Sequence, residues 1–260
     1  MSNLWYKIHE GCGPHLLLVH GMLSSANQWL PNIEALSKIC QPITVELFGH
    51  NNSPAPTESK LYEPENYVSE FEKIRTSLNI HKWFVCGYSL GAALTIRYAL
   101  TFPQHLKGHI FTNSNSAFAT KEMATAWSRQ AEQTRDRLIA GGLDAIDRIP
   151  VHPRHAKRLP VQLKKQLVED SRNHNALGIA YTSAYTTPSS SVRDIFQDNS
   201  KPALLVCGRH EKRFQAHCQF ARKHMPLLQV ANVSSGHAVN MEADIEFNQH
   251  VTQFIQSHDA

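Results

Sequence analysis

The feature that most constrains this chain is a serine set between two glycines, Gly87-Tyr88-Ser89-Leu90-Gly91, where one structural pattern gives way to another. Ahead of it, Trp83-Phe84-Val85-Cys86 is a short continuous apolar run. At that length such a run predicts a strand covered on both faces. Behind it, Leu90 to Phe102 carries a helical pattern closed by Pro103. A chain that passes from buried strand to helix in so few residues must turn sharply. The glycines leave room for the turn, since side chains at 87 or 91 would collide with neighbouring backbone. Ser89 is thereby expected in strained backbone at the start of a helix, where partial positive charge favours a developing oxyanion. Gly-x-Ser-x-Gly between a strand and a helix makes Ser89 a candidate nucleophile.

A serine hydroxyl attacks poorly until a base takes its proton, so a histidine partner is needed. Of the 16 histidines, His237 stands out by position. It follows the last predicted strand in Val233-Ser234-Ser235-Gly236-His237 and precedes the final helix, whereas His250 and His258 lie in or after that helix and read as solvated. A carboxylate is then needed to hold the imidazole tautomer and to stabilise the imidazolium. Glu211 is the only one in Gly208-Arg209-His210-Glu211-Lys212-Arg213-Phe214, the loop after the apolar run Ala203 to Cys207. Asp198 is the runner-up, but it precedes that strand. Glutamate is one methylene longer than aspartate, so its loop must sit slightly further back.

Around this turn the chain alternates strand and helix patterns. Leu16 to Val19, Ile43 to Glu46 and Lys107 to Thr112 read as strands, and Tyr67 to Leu78 as a helix. From 120 to 190 the pattern is helical only: Met123 to Ala140, stopped by Gly141-Gly142, then Leu143 to Ile149 and Val161 to Arg172. Alternation returns with strands at Ala203 to Cys207 and Leu227 to Val233 and helices at Phe214 to His224 and Glu242 to Gln256. The expected class is α/β: a mostly parallel twisted sheet flanked by helices. Residues 1–119 and 191–260 would form one core, with 120–190 as an inserted helical lid. A chain of 260 residues can bury such a core as a single domain.

Other classes fit less well. The longest apolar runs fall far short of the roughly 20 residues that cross a bilayer. Met1 to Glu10 shows no basic region followed by an apolar one, so cytoplasm is the default expectation. Five cysteines without a paired spacing or a CxxC argue against a disulfide framework. The net charge of +4 is matched by the excess within 120–190, which holds eleven Lys/Arg and seven Asp/Glu. Acids interleave with these bases and no nucleic-acid motif accompanies them, so nucleic acid is not an expected partner.

His20-Gly21-Met22, Phe48-Gly49-His50, Gly87-Tyr88-Ser89-Leu90-Gly91, Gly208-x-x-Glu211 and Gly236-His237 occur in the order seen in the α/β-hydrolase superfamily. Across essentially the whole chain the pattern resembles its lid-bearing branch, which includes the menaquinone-pathway synthase MenH, the carboxylesterase BioH and the meta-cleavage-product hydrolases. The lid is the least similar part. The resemblance implies an oxyanion hole made by the backbone N–H groups of Met22 and Leu90. It also implies that His20 braces its loop rather than reacts, and that Phe48-Gly49-His50 is structural. The chain departs from the pattern in having Glu211 for aspartate, Ala92 where a third glycine is common, and Asn51-Asn52-Ser53 after Gly49-His50. Dehalogenases and epoxide hydrolases of this fold carry aspartate at the turn, so Ser89 points away from them.

The implied activity is hydrolysis of a carboxylic ester or thioester through an acyl-enzyme on Ser89. C–C bond hydrolysis or a MenH-like elimination at the same residues is the second reading, and a non-catalytic ligand-binding protein of this fold is the third. No metal or organic cofactor is implied, and the partner would be a small-molecule acyl substrate. The basic, proline-broken stretch Val151-His152-Pro153-Arg154-His155-Ala156-Lys157-Arg158 admits two readings: a clamp for an anionic or carrier-linked substrate, or a solvated lid surface, the plainer of the two. Trp127, Tyr181 and Tyr185 would line an acyl pocket or pack the lid on the core. Oligomeric state has no signature in the sequence.

Overall fold

A computed structural model describes residues 3–259; Met1 and Ser2, the first two of the stretch read for a leader, lie outside it together with Ala260. The strands are β1 (Tyr6–Ile8), β2 (His15–Val19), β3 (Gln41–Val45), β4 (Trp83–Gly87), β5 (Leu106–Thr112), β6 (Ala203–Gly208) and β7 (Leu228–Val233). They form one sheet in the order β1-β3-β2-β4-β5-β6-β7. Only β1 runs antiparallel, against β3; the other neighbours pair in parallel.

Alternation along each strand sorts the core onto the two faces of the sheet. Leu16 and Leu18 of β2, with Phe84 and Cys86 of β4, join a cluster with Trp29, Phe247, Val251 and Phe254. This face is covered by α1 (Leu30–Ser37), α9 (Val239–Glu242) and α10 (Asp244–His258). Leu17, Val19 and Val85 point the other way and pack with Phe71, Leu94 and Tyr98. Those belong to α2 (Pro64–Ser77) and α3 (Leu90–Thr101), and α8 (Gln215–His224) covers the β6 end of the same face. Both faces of the central strands are buried, which is why their sequences read as unbroken apolar runs.

Between β5 and β6 the chain forms helices only: α4 (Lys121–Asp147), α5 (Val161–Ser171), α6 (Ala176–Tyr181) and the short α7 (Thr187–Ser189). The stop expected at Gly141-Gly142 is where α4 divides into two helical segments across a kink. Gly142 leaves helical geometry (φ 56°, ψ −145°) and the helix resumes to Asp147. The expected helix from Glu242 is divided by Ala243 into α9 and α10. Leu227 does not open the last strand, since its φ of 59° places it in a turn. Among the described residues no helix is long and apolar enough to cross a membrane.

β2 pairs with β3 on one side and β4 on the other, so the connections leaving it and entering β4 run to opposite sides of the sheet. A crevice opens at the carboxyl ends of strands where the winding reverses in this way. Ser89 sits there, just past the end of β4.

Candidate active site

Ser89 joins β4 to α3 with φ 52° and ψ −112°, a conformation costly for a residue with a side chain. Packing holds it there. The first turn of α3 lies so close to β2 that a Cβ on Gly91 would press into the carbonyl oxygens of Val19 and His20. Tyr88 also donates its N–H to the Val19 carbonyl, at 3.0 Å. The turn is therefore bolted to the neighbouring strand on both sides of the serine.

The structure brings the three candidate side chains together. Ser89 Oγ lies 2.9 Å from His237 Nε2, and His237 Nδ1 lies 2.9 Å from Glu211 Oε2. Glu211 is ionised in this setting, so Nδ1 must carry the proton that it accepts, which leaves the Nε2 lone pair for the serine O–H. Burial pushes the Glu211 carboxyl up. The hydrogen bond and charge of His237, with donors from Asn113 and Asn115, outweigh it and hold the pKa below the usual carboxylate value. Gly236, next to the imidazole, donates its N–H to Glu242 Oε2 at 2.8 Å, and the Tyr88 ring meets the imidazole edge-on at 5.4 Å. Asp198, the runner-up acid, is exposed ahead of β6, and His250 and His258 lie on α10.

Asn113 and Asn115 escaped the sequence reading. Asn113 donates to Glu211 Oε2 at 2.7 Å and also exchanges hydrogen bonds with both backbone groups of Gly208. Asn115 donates to Oε1 at 3.2 Å. Their one signal is position: an Asn-Ser-Asn directly after a strand, at the sheet end where Ser89 also lies. We expect Asn113→Ala to lower kcat by roughly 10- to 100-fold, the equivalent of one or two lost hydrogen bonds to a charged group. The acid limb of the pH–rate profile should rise at the same time; a profile unchanged in both height and shape would contradict this role.

Met22 lines the cleft beside Ser89. Leu90 opens α3, where a first-turn N–H has no acceptor within the helix. Two buried histidines fix the Met22 loop. His20 Nε2 accepts the Leu47 N–H at 3.0 Å and its Nδ1–H donates to the Gly21 carbonyl at 2.7 Å. His50 Nε2 accepts the Leu23 N–H at 3.1 Å, with Nδ1–H on the Phe48 carbonyl, and so pins a residue held at φ 59°. His174 packs on His50 with ring centroids 5.0 Å apart and accepts the Asn51 N–H. Both His-Gly and Gly-His motifs thus brace backbone.

All three imidazoles are neutral, because burial pushes His20 down to about 3, His174 to about 4 and His50 well below its ordinary value. Below about pH 6.5 the unfolded chain takes up protons that these sites refuse, so stability falls as pH drops toward 4. Glu46, which burial raises to about 7, works against this by keeping its proton in the fold while the unfolded chain loses it. With buried His109, also pushed down to about 4, the histidines outnumber Glu46, so stability falls as pH drops from 7 to 5. Urea unfolding at pH 7, 6 and 5 checks it; equal midpoints would contradict it.

The cleft over Ser89 has a volume of ≈ 510 Å³. Its far wall is the stretch Pro150 to Arg158, from which His152, His155, Lys157 and Arg158 face the cleft, opposite Arg213. The plainer expectation of a solvated surface holds, since Arg154, His155, Lys157 and Arg158 are exposed, and three of them, His155, Lys157 and Arg158, also line the cleft. Tyr181 and Tyr185 instead pack on each other and, through Tyr181, on Tyr62, and neither they nor Trp127 line the cleft. Among the described residues no three His, Cys, Asp or Glu are grouped to hold a metal ion.

Residues 14–244 match the profile of the alpha/beta hydrolase fold. A Bacillus subtilis (strain 168) protein assigned as a 2-succinyl-6-hydroxy-2,4-cyclohexadiene-1-carboxylate synthase is 26% identical, over 93% of this chain and 90% of its own. Carboxylesterase YbfK of the same organism is 23% identical over 93% of this chain and 80% of its own. Among solved structures, MenH from S. aureus superposes with a TM-score of 0.86 at 16% identity, covering 98% of this chain and 99% of its own. The enol-lactonase from Burkholderia xenovorans LB400 superposes with a TM-score of 0.77 at 18% identity, over 97% and 96%. The matched profile runs from β2 through the serine turn to the His237 loop, and the chain belongs to the α/β-hydrolase fold family of enzymes.

Proposed function

We propose that the protein hydrolyses carboxylic esters or thioesters through an acyl-enzyme formed on Ser89. The observation that carries this reading is the unbroken series Ser89 Oγ, His237 Nε2, His237 Nδ1, Glu211 Oε2, each contact 2.9 Å, at the floor of a cleft. His237 takes the serine proton as Oγ attacks the carbonyl, and Glu211 stabilises the imidazolium. The N–H groups of Met22 and Leu90 hold the oxyanion, each worth about 3–4 kcal/mol in the transition state. His237 returns the proton to the leaving group; water then enters, gives a proton to the same nitrogen and attacks the acyl carbon, and the imidazolium passes that proton to Ser89 Oγ as the acid leaves. The helical insert acts as a lid, its stretch 150–158 closing one wall. Likeness to carboxylesterase YbfK supports hydrolysis. Five free thiols suit a reducing cytoplasm.

A MenH-like elimination on the same residues is the second reading. It is favoured by the S. aureus MenH superposition and by a cationic cleft wall suited to a carboxylate-bearing substrate. Turnover of p-nitrophenyl esters and acyl thioesters of graded chain length separates the two. Hydrolysis expects release of free acid from several of them, abolished by Ser89→Ala. Failure on every ester and thioester would overturn it in favour of elimination.

A further inference from the structure

A second, larger depression adjoins the cleft on the outer side of the same stretch. Its volume is ≈ 1080 Å³, about twice the ≈ 510 Å³ of the cleft, and His155, Ala156 and Lys157 line both. The two hollows thus lie side by side across residues 155–157. The floor is apolar, with Leu159, Val161 and Val168, and Val161 is 67% exposed. The walls carry Arg154, Lys157, Lys164, Lys165 and Arg172 against the single carboxylate of Glu169. Arg154 is already paired with Asp147, and Arg172 with Glu169. Lys164 reaches only the Ala156 carbonyl, at 2.6 Å, and no ion pair among the described residues engages Lys157 or Lys165.

Three lysines without an ion-pair partner on α5 and the loop before it give the groove a positive field that attracts a polyanion. Lysine is a point charge that suits phosphate oxygens without demanding a planar bidentate partner. An acyl group alone needs only the cleft. We propose that this groove seats the carrier half of an acyl thioester, a small molecule bearing clustered phosphates and an apolar or aromatic portion that lies on Val161 and Val168. This inference rests on the hydrolase reading and names its substrate class. The chemistry is unchanged: the Ser89 C–O bond forms, the C–S bond breaks, the thiol leaves with the proton from His237, and water releases the acid.

Three substrates with one acyl group test it: the coenzyme A thioester, the pantetheine thioester that lacks the nucleotide phosphates, and the p-nitrophenyl ester. Adenosine 3′,5′-bisphosphate serves as a binding probe. The coenzyme A thioester should exceed the pantetheine thioester by roughly tenfold or more in kcat/KM. That ratio should collapse toward one in Lys164→Gln/Lys165→Gln, which changes two exposed or half-exposed side chains and spares the core. The bisphosphate should bind the wild type and lose roughly tenfold in affinity in the double variant. Equal rates on the two thioesters, a ratio that survives the double substitution, or a stronger preference for the same acyl group on an acidic carrier protein would each overturn the proposal. Absence of Ser89-dependent turnover of all three substrates would overturn the hydrolase reading instead, while the bisphosphate still reports on the groove.

Discussion

The double variant Ser89→Ala/His237→Ala is expected to be no slower than either single variant, although each single change lowers kcat by roughly 10⁴- to 10⁶-fold. The reason is geometric. His237 Nε2 faces Ser89 Oγ at 2.9 Å, and in the proposed mechanism its action as a base exists only through that oxygen. Once either group is gone the other has nothing left to do, so the second substitution costs almost nothing. Glu211→Gln should lower kcat by roughly 10⁴-fold, no more than the low end of that range, because an amide facing Nδ1 favours the wrong tautomer while leaving both partners in place. Steady-state kinetics on the best ester, with circular dichroism to show that each variant is folded, measures all four. Losses that multiply in the double variant would mean that the two residues act separately.

Gly208→Ala should reduce both stability and activity, and by more than its single methyl suggests. Gly208 ends β6, and a Cβ there would strike the carbonyl oxygen of Gly236 and come within 2.8 Å of Ser235 Oγ. This is the point where the loop carrying Glu211 and the loop carrying His237 touch backbone to backbone, with Arg209 donating to the Val233 carbonyl and His210 to that of Ser235. Relief requires the two loops to part. Overpacking of this kind costs about 1–3 kcal/mol. Moving an imidazole by about 1 Å from its serine costs roughly 100-fold in rate. Urea unfolding and kcat/KM at a temperature where the variant stays folded separate the two effects. Full activity in a folded variant would show that the loops tolerate separation.

How much of this was readable from the chain follows from where each residue breaks a pattern. Ser89 stands in a Gly-x-Ser-x-Gly turn at the junction of an apolar run and a helical one, and Glu211 and His237 each follow an apolar run, so the motif together with strand ends made all three legible as candidates. Asn113 and Asn115 follow a strand too, but a polar residue in a loop has many uses, and only the fold shows that both face Glu211. The stretch 150–158 left two readings open for a related reason. Its residues are exposed, and whether an exposed lysine faces bulk water or a cleft depends on the path of the chain around Pro150, Pro153 and Pro160. Gly141-Gly142 was legible as a helix end because glycine permits one: Gly142 leaves helical geometry there, and a second helical segment continues to Asp147. β1 offered three residues at a sheet edge, too few for alternation to register.

The central claim is that the hydroxyl of Ser89 is activated by His237 for attack on an acyl carbon. Treating the protein with a fluorophosphonate and mapping the adduct by mass spectrometry tests this most directly. One phosphonyl group should appear on the peptide that contains Ser89, none on Ser89→Ala, and labelling should slow by several orders of magnitude in His237→Ala. An adduct on another residue, or equal labelling of wild type and Ser89→Ala, would contradict it.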